Sequence, residues 1–193
     1  FLSIVNDMLF ELLPEMIHYT CKSYQKGIGC GKVVQELIKE SNRMKTDVIG
    51  YKADLSKYFD SVPIEYIDLM FDQVEMKYGK SAVVDVLRKY YHTDLCFDLD
   101  GILVEHYQSL KQGCAVASWL ADVVLWHIDK RMECECDCYY VRYSDDIVAV
   151  GKDWKRSMEI LEEELGKMNM KLNPKKVEIL NKNKWFKFLG FSI

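Results

Sequence analysis

Two adjacent carboxylates, Asp145 and Asp146, lie between Tyr139–Tyr143 and Ile147–Val150, runs rich in β-branched and aromatic residues. Such runs predict strands, so the aspartates fall on a hairpin turn between elements that enter the core. Like charges there repel one another and are costly to strip of water; they persist most readily where a cation neutralises them. A third carboxylate, Asp54, stands near the end of another extended run, Val48 to Leu55. Together the three offer the oxygen ligands that hard Mg²⁺ prefers, and the set that a two-metal phosphoryl transfer on a triphosphate requires. The plainer alternative is that Asp145 and Asp146 are simply good turn formers.

Other reactive side chains carry weaker signals. Cys134, Cys136 and Cys138 alternate, and thiolates bind zinc. Alternation along a strand would point them to one face rather than around an ion, so reduced thiols are the better account. His18, His92, His106 and His127 have no ligand or triad spacing. Seven cysteines suit a reducing cytoplasm. The net charge of -4 argues against nucleic-acid binding by bulk positive charge. Its distribution matters more, since Lys167, Lys171, Lys175, Lys176, Lys182, Lys184 and Lys187 face only Glu178 in their stretch.

The elements that must position these groups read as an α+β pattern. The 193 residues, 49% hydrophobic and 29% charged, are enough to bury one compact core. No apolar run approaches the ~20 residues needed to cross a bilayer. Phe1–Leu13 carries Asp7 and Glu11 and has no basic leader, so no membrane or secretory segment is expected. Periodicity predicts helices over Ile4–Ile17, Lys32–Arg43, Ile64–Val74, Ala82–Tyr91 and a long one over Cys114–Met132. The glycines from Lys26 to Gly31 read as a loop, and Pro63 as the first residue of its helix. Leu95–Leu99 and Ile102–Tyr107 predict a hairpin through Asp100-Gly101. Met158, Leu161, Leu165 and Met168 share a helical face that excludes most of Glu162-Glu163-Glu164, a run expected to be solvated surface. Val177–Leu180 and Phe186–Ile193 close the chain as strands.

The local sequences around these groups resemble the reverse transcriptase family. Tyr51-Lys-Ala-Asp54-Leu-Ser-Lys-Tyr-Phe59-Asp60-Ser-Val-Pro63 is similar to its first palm motif, and Tyr140-Val-Arg-Tyr143-Ser-Asp145-Asp146-Ile-Val to its aromatic-x-Asp-Asp motif. Between them, Ser109-Leu-Lys-Gln112-Gly113 resembles the Gln-Gly motif; Leu172-Asn-Pro-Lys-Lys176 resembles the fourth motif, and Phe186-Lys-Phe-Leu-Gly190-Phe the primer grip. Five motifs in family order make the match specific. Ser23-Tyr-Gln-Lys-Gly27-Ile-Gly29 also resembles the fingers motif of bacterial group II intron, retron and diversity-generating enzymes.

This resemblance implies a right-hand polymerase palm, a small antiparallel sheet backed by helices, with partial α-helical fingers over 1–47, palm over 48–193 and the thumb absent. It implies an RNA-directed DNA polymerase using two Mg²⁺ ions, or Mn²⁺ in their place, with an RNA template, a DNA primer and dNTPs as partners. Asp54, Asp145, Asp146 and the Leu55 carbonyl become the metal ligands. Lys176 becomes the general acid toward pyrophosphate, with Lys175 as its rival. Phe59 becomes the gate against a 2'-hydroxyl. Gln112, Gly113, Gln25 and Lys26 become nucleotide-binding residues, and Arg142, Tyr143, Phe188, Leu189 and Gly190 nucleic-acid contacts. For each, ordinary packing or a solvated surface position is the competing account. Gln25, Ala117 and Asp122 replace an arginine, a serine and an asparagine common in relatives, and the Gln of Gln112-Gly113 departs from the diversity-generating pattern. A defence-type relative making untemplated DNA, and a palm that binds nucleic acid without catalysis, are the rival functions.

Overall fold

The structure, a computed structural model, describes residues 1–97, 100–105 and 109–193. In chain order the elements are α1 (Leu2–Leu12), α2 (Cys30–Arg43), β1 (Val48–Asp54), α3 (Tyr58–Ser61), α4 (Ile64–Tyr78), α5 (Ala82–His92), β2 (Leu95–Phe97) and β3 (Leu103–Glu105). They continue as α6 (Val116–Val123), α7 (Trp126–Glu135), β4 (Cys138–Tyr143), β5 (Asp146–Gly151), α8 (Trp154–Lys167), β6 (Glu178–Asn181), β7 (Lys187–Phe188) and β8 (Phe191–Ser192). Contacts gather them into two compact units, one of Phe1–Pro14 with Lys57–Val124, the other of Glu15–Ser56 with Leu125–Ile193. Among the described residues no helix is long and apolar enough to cross a membrane.

The second unit is built on a four-stranded antiparallel sheet in the order β4-β5-β1-β6. Because successive residues of a strand point to opposite faces, register decides which side each group occupies. One face carries Val141, Val148, Val150 and Leu180, which pack on Val33, Val34 and Leu37 of α2 and on Phe186 and Phe188. The other carries Tyr51, Tyr140 and Arg142, which bond to side chains of α7 and α8. With apolar residues on both faces, β5 reads as an unbroken hydrophobic run, the mark of a strand covered on two sides.

The first unit is largely helical. Val84, Leu87 and Tyr91 of α5 are buried, as are Ile67, Met70, Phe71 and Val74 of α4, at helical spacing on each. Arg88 ties the pair together, donating to Asp68, Asp72 and the partly buried Glu75 while lying over the Phe71 ring. Ser81 caps α5 by accepting from the Val83 N–H. β2 and β3 pair as the Asp100-Gly101 signal predicts, with Gly101 at φ +77°; the expected C-terminal ends of the two strands, Leu99 and Tyr107, and His106 lie outside the described residues.

Several expectations change. The helix foreseen over Ile4–Ile17 ends at Leu12, because Pro14 cannot donate to the helix ladder; Pro14–Met16 forms one 3₁₀ turn instead. Pro63 caps α4 from outside rather than beginning it. The single long helix over Cys114–Met132 is two, α6 and α7, interrupted at Val124–Leu125 with neither proline nor glycine present. The Tyr58 hydroxyl donates at 2.6 Å to the Ala121 carbonyl, the acceptor that an unbroken helix would offer to Leu125. Glu164 is not solvated: it is buried on the face of α8 with Ile160 and Leu161 and accepts from Arg131 and Lys167. Of the alternating cysteines, only Cys138 lies in a strand; Cys134 is on α7 and Cys136 caps it.

Candidate active site

β1 and β5 run antiparallel in a register that sets Asp54 directly opposite Asp146, after Ala53 opposite Ile147 and Lys52 opposite Val148. Directly opposed residues share a face, and like charges so placed destabilise a sheet. Asp146 is also opposite Tyr143 across the β4–β5 hairpin, leaving Ser144 and Asp145 as a two-residue turn. Ser144 adopts φ +57°, a left-handed conformation costing a non-glycine residue about 1–2 kcal/mol. The Asp145 carbonyl accepts from Leu55 N–H at 3.1 Å, which joins the turn to the end of β1. The three carboxylates thus lie at the end of β1, on the adjoining turn and at the start of β5.

Their electrostatics record the crowding. Burial, then the carboxylate of Asp54, raises Asp145 above the ordinary aspartate range; burial, then Asp145 and Asp54, raises Asp146. Asp54 is 5% exposed and accepts from Lys176 Nζ at 2.6 Å. That hydrogen bond raises the Lys176 pKa, keeping the amine charged. The delivery of Lys176 is built locally. Residues 171–173 run beside the end of β1, with Ser56 N donating to Lys171 O and Asn173 N to Asp54 O, both at 2.8 Å. The Asn173 side chain accepts from Lys175 N, and its carbonyl from Lys176 N, so the Asn-Pro turn returns Lys176 to the carboxylates. The amine bonded to Asp54 is that of Lys176, while Lys175 lines the same cavity.

β7 and β8 form a tight hairpin whose central residues, Leu189 and Gly190, both have positive φ, +49° and +83°. This is the backbone of a type I′ turn, where the leucine is strained and glycine is not. Lys52, two residues before Asp54 on the same face, donates to the Lys187 carbonyl at 2.9 Å and anchors the hairpin. A cavity of about 330 Å³ is lined by Asp54, Asp146, Lys176, Phe188, Leu189 and Gly190, bringing expected catalytic and primer-side residues together.

The first unit gathers other expected residues. Phe59, half-buried on α3, accepts from Leu110 N–H at its carbonyl, and Ser109 Oγ donates to Val62 O. Lys111, at φ +55°, sends its amine to the Tyr90 and Thr93 carbonyls at the end of α5, presenting Gln112 and Gly113 to solvent. Gly113 has φ +85°. In the second unit Gln25 donates to the Cys21 carbonyl at 2.6 Å, and Lys26 is exposed. Tyr143 is half-buried on the sheet face that carries Asp146.

Arg142 is corrected. Its side chain is fully enclosed and paired with fully enclosed Asp129, so it cannot be the nucleic-acid contact expected from the motif. Alternation sends residue 142 to the face opposite Tyr143 and Asp146. Asp129 itself left no signal in the sequence, because its partner lies on another element; Lys52 did, being two residues from Asp54 in a strand.

Among the described residues no group of three or more His, Cys, Asp or Glu side chains is gathered to hold a metal ion, and Lys176 covers Asp54. The donors nonetheless suit a hard divalent cation, since Asp145 and Asp146 are half-buried carboxylates whose mutual crowding Lys176 only partly offsets.

An antiparallel sheet backed by helices, with aspartates paired across two central strands and a third on the adjoining turn, defines a right-hand polymerase palm. The chain belongs to the reverse transcriptase (RNA-dependent DNA polymerase) family, whose sequence profile matches residues 2–193. No curated protein matches the sequence. Among solved structures, telomerase from Candida albicans in complex with the TWJ fragment of telomeric RNA is similar with TM-score 0.67 and 13% identity, covering 99% of this chain and 36% of that one. Apo telomerase from Candida tropicalis truncated from its C-terminal domain gives TM-score 0.68 at 14% identity, covering 100% and 43%. Apo telomerase from Candida tropicalis gives 0.65 at 14%, covering 100% and 37%. The chain therefore spans roughly two-fifths of these relatives' length, and at such identity the likeness is one of fold.

Proposed function

We propose that this chain is the catalytic palm, with part of the fingers, of an RNA-directed DNA polymerase that extends a DNA primer with dNTPs on an RNA template. The observation that carries the reading is the Asp54–Asp146 pairing, with Asp145 on the adjoining turn and Lys176 beside them. Family membership supports it. When bound at Asp54, Asp145, Asp146 and the Leu55 carbonyl, two Mg²⁺ ions, or Mn²⁺ in their place, would activate the primer 3'-hydroxyl and stabilise departing pyrophosphate. Lys176, released from Asp54, donates a proton to the leaving pyrophosphate oxygen. Phe59 excludes the ribonucleotide 2'-hydroxyl, Gln112 and Gly113 hold the incoming nucleotide, and Phe188, Leu189 and Gly190 seat the primer end.

The same proposal assigns 1–47 to fingers and 48–193 to palm. Ser23–Gly29 supports a bacterial intron, retron or diversity-generating lineage, and the reduced thiols of Cys30, Cys114, Cys134, Cys136 and Cys138 support a reducing cytoplasm. The test is Mg²⁺-dependent dNTP incorporation by the full-length protein on a primed RNA template, wild type against Asp145→Asn. Product that follows the RNA sequence and vanishes in the variant is expected. Untemplated product would replace the reading with the defence-type one, and no product with either Mg²⁺ or Mn²⁺ would replace it with a binding palm.

A further inference from the structure

The Ser144-Asp145 turn is strained and flanked by like charges, so something outside the hairpin must hold it. The Ser144 N–H donates to Ser23 Oγ at 2.9 Å, and Tyr24 OH donates to Ser144 Oγ at 3.3 Å. Residues 20–22 lie along the free edge of β4, where Arg142 N donates to Thr20 O at 3.0 Å and Lys22 N to Arg142 O at 2.8 Å. This adds a short parallel bridge beside the turn. Behind it, Arg142 Nε and Nη2 donate to Asp129 Oδ1 and Oδ2 at 2.9 and 2.6 Å, Tyr140 OH donates to the same carboxylate at 2.9 Å, and Arg142 Nη1 lies 3.5 Å from the Ser144 carbonyl. Ser144 is thus engaged at its N–H by Ser23, remote in sequence, and at its C=O by Arg142 of its own hairpin, whose guanidinium the remote Asp129 holds.

A wholly buried ion pair is a poor choice for stability alone, because well-packed apolar side chains of similar volume usually serve as well or better. What the bidentate pair does supply is a single orientation for the strand that ends in the carboxylate turn. We propose that Ser23 and the Asp129–Arg142 pair are positioning residues that set the divalent-cation affinity of Asp145 and Asp146; this rests on the reading that those carboxylates hold metal. They touch neither substrate nor metal and act only through the turn.

Free Mn²⁺, followed by its electron paramagnetic resonance signal, titrates the site in the full-length protein without any turnover. Two variants are compared with wild type: Ser23→Ala, which removes one acceptor, and the double change Asp129→Leu with Arg142→Met, which removes both charges together. Groups supporting metal ligands typically govern affinity by about 10- to 100-fold, and a rise of that size in the Mn²⁺ Kd is expected for each variant. The thermal midpoint of Ser23→Ala should stay near wild type, its kcat should recover at excess Mn²⁺, and the dNTP KM at saturating Mn²⁺ should not move. A merely structural role would lower the thermal midpoint and leave the Mn²⁺ Kd of the folded fraction unchanged. Wild-type Mn²⁺ affinity in Ser23→Ala overturns the inference, including where the double variant does not fold. If wild type and Asp145→Asn bind Mn²⁺ equally, the metal reading itself fails, and the inference with it.

Discussion

Gly50 is where a single added carbon should disturb both fold and chemistry. It lies on β1 opposite Val150, and a Cβ built there would meet the Ala149 carbonyl oxygen at 1.9 Å and the Val150 Cα at 2.9 Å. Both obstacles are backbone, so no rotamer change relieves them. Reaching even a tight 3.0 Å contact requires β1 and β5 to separate by about 1 Å, and overpacking of this kind costs about 1–3 kcal/mol. For a protein of this size each kcal/mol corresponds to roughly 2–4 °C, so Gly50→Ala should lower the thermal midpoint by about 2–12 °C. The same displacement falls on the two strands that carry Asp54 and Asp146, and a misplacement near 1 Å can reduce turnover by about 10²-fold. Thermal unfolding followed by circular dichroism, with single-nucleotide incorporation measured on the fraction still folded, separates the two effects. A variant that unfolds within a degree of wild type and turns over normally would refute the reasoning, because the strands would then have absorbed the methyl group without moving.

Three further outcomes follow from the geometry. Lys176→Ala should lower kcat by about 10² to 10⁴, the usual worth of a positioned acid, while Lys175→Ala stays near wild type in the same single-turnover assay; equal losses would remove the distinction drawn from the Asp54 contact. Phe59→Val should narrow the dNTP to rNTP ratio of kcat/KM by about 10- to 200-fold, and an unchanged ratio would return Phe59 to ordinary packing. Glu164 is subject to burial, which pushes its pKa up, yet hydrogen bonds from Lys167 and Arg131 bring it below the ordinary 4.5. The unfolded chain therefore binds its proton first as pH falls, so the stabilisation is complete above 4.5 and is lost through the lower folded value. Glu164→Gln should lower the thermal midpoint at neutral pH and match wild type in acid; an equal gap at both would show that charge is not involved.

The chemistry proposed for this protein was legible in short stretches of sequence, because the residues proposed to carry it sit where local rules are strong. Asp145 and Asp146 fall between two β-rich runs, and the hairpin forms there, with Asp145 on its turn and Asp146 already in β5 opposite Tyr143. Lys176 follows an Asn-Pro turn whose hydrogen bonds are local, and Gly190 meets the positive φ of its hairpin. Periodicity likewise located α2, α4 and α5 to within a few residues at each end, since each buries one face at helical spacing. Tertiary structure alone decided what depends on partners distant along the chain. Arg142 reads as a nucleic-acid contact until Asp129 encloses it, and Glu164 as surface until Arg131 reaches it. The interruption between α6 and α7 has no breaker residue and comes with a tyrosine from α3 that takes a helix carbonyl. Gly50 looks like any glycine in a strand until β5 lies against it. Periodicity and turn chemistry act over a few residues and are written locally, whereas burial of charge and close approach of backbones exist only once the chain has folded.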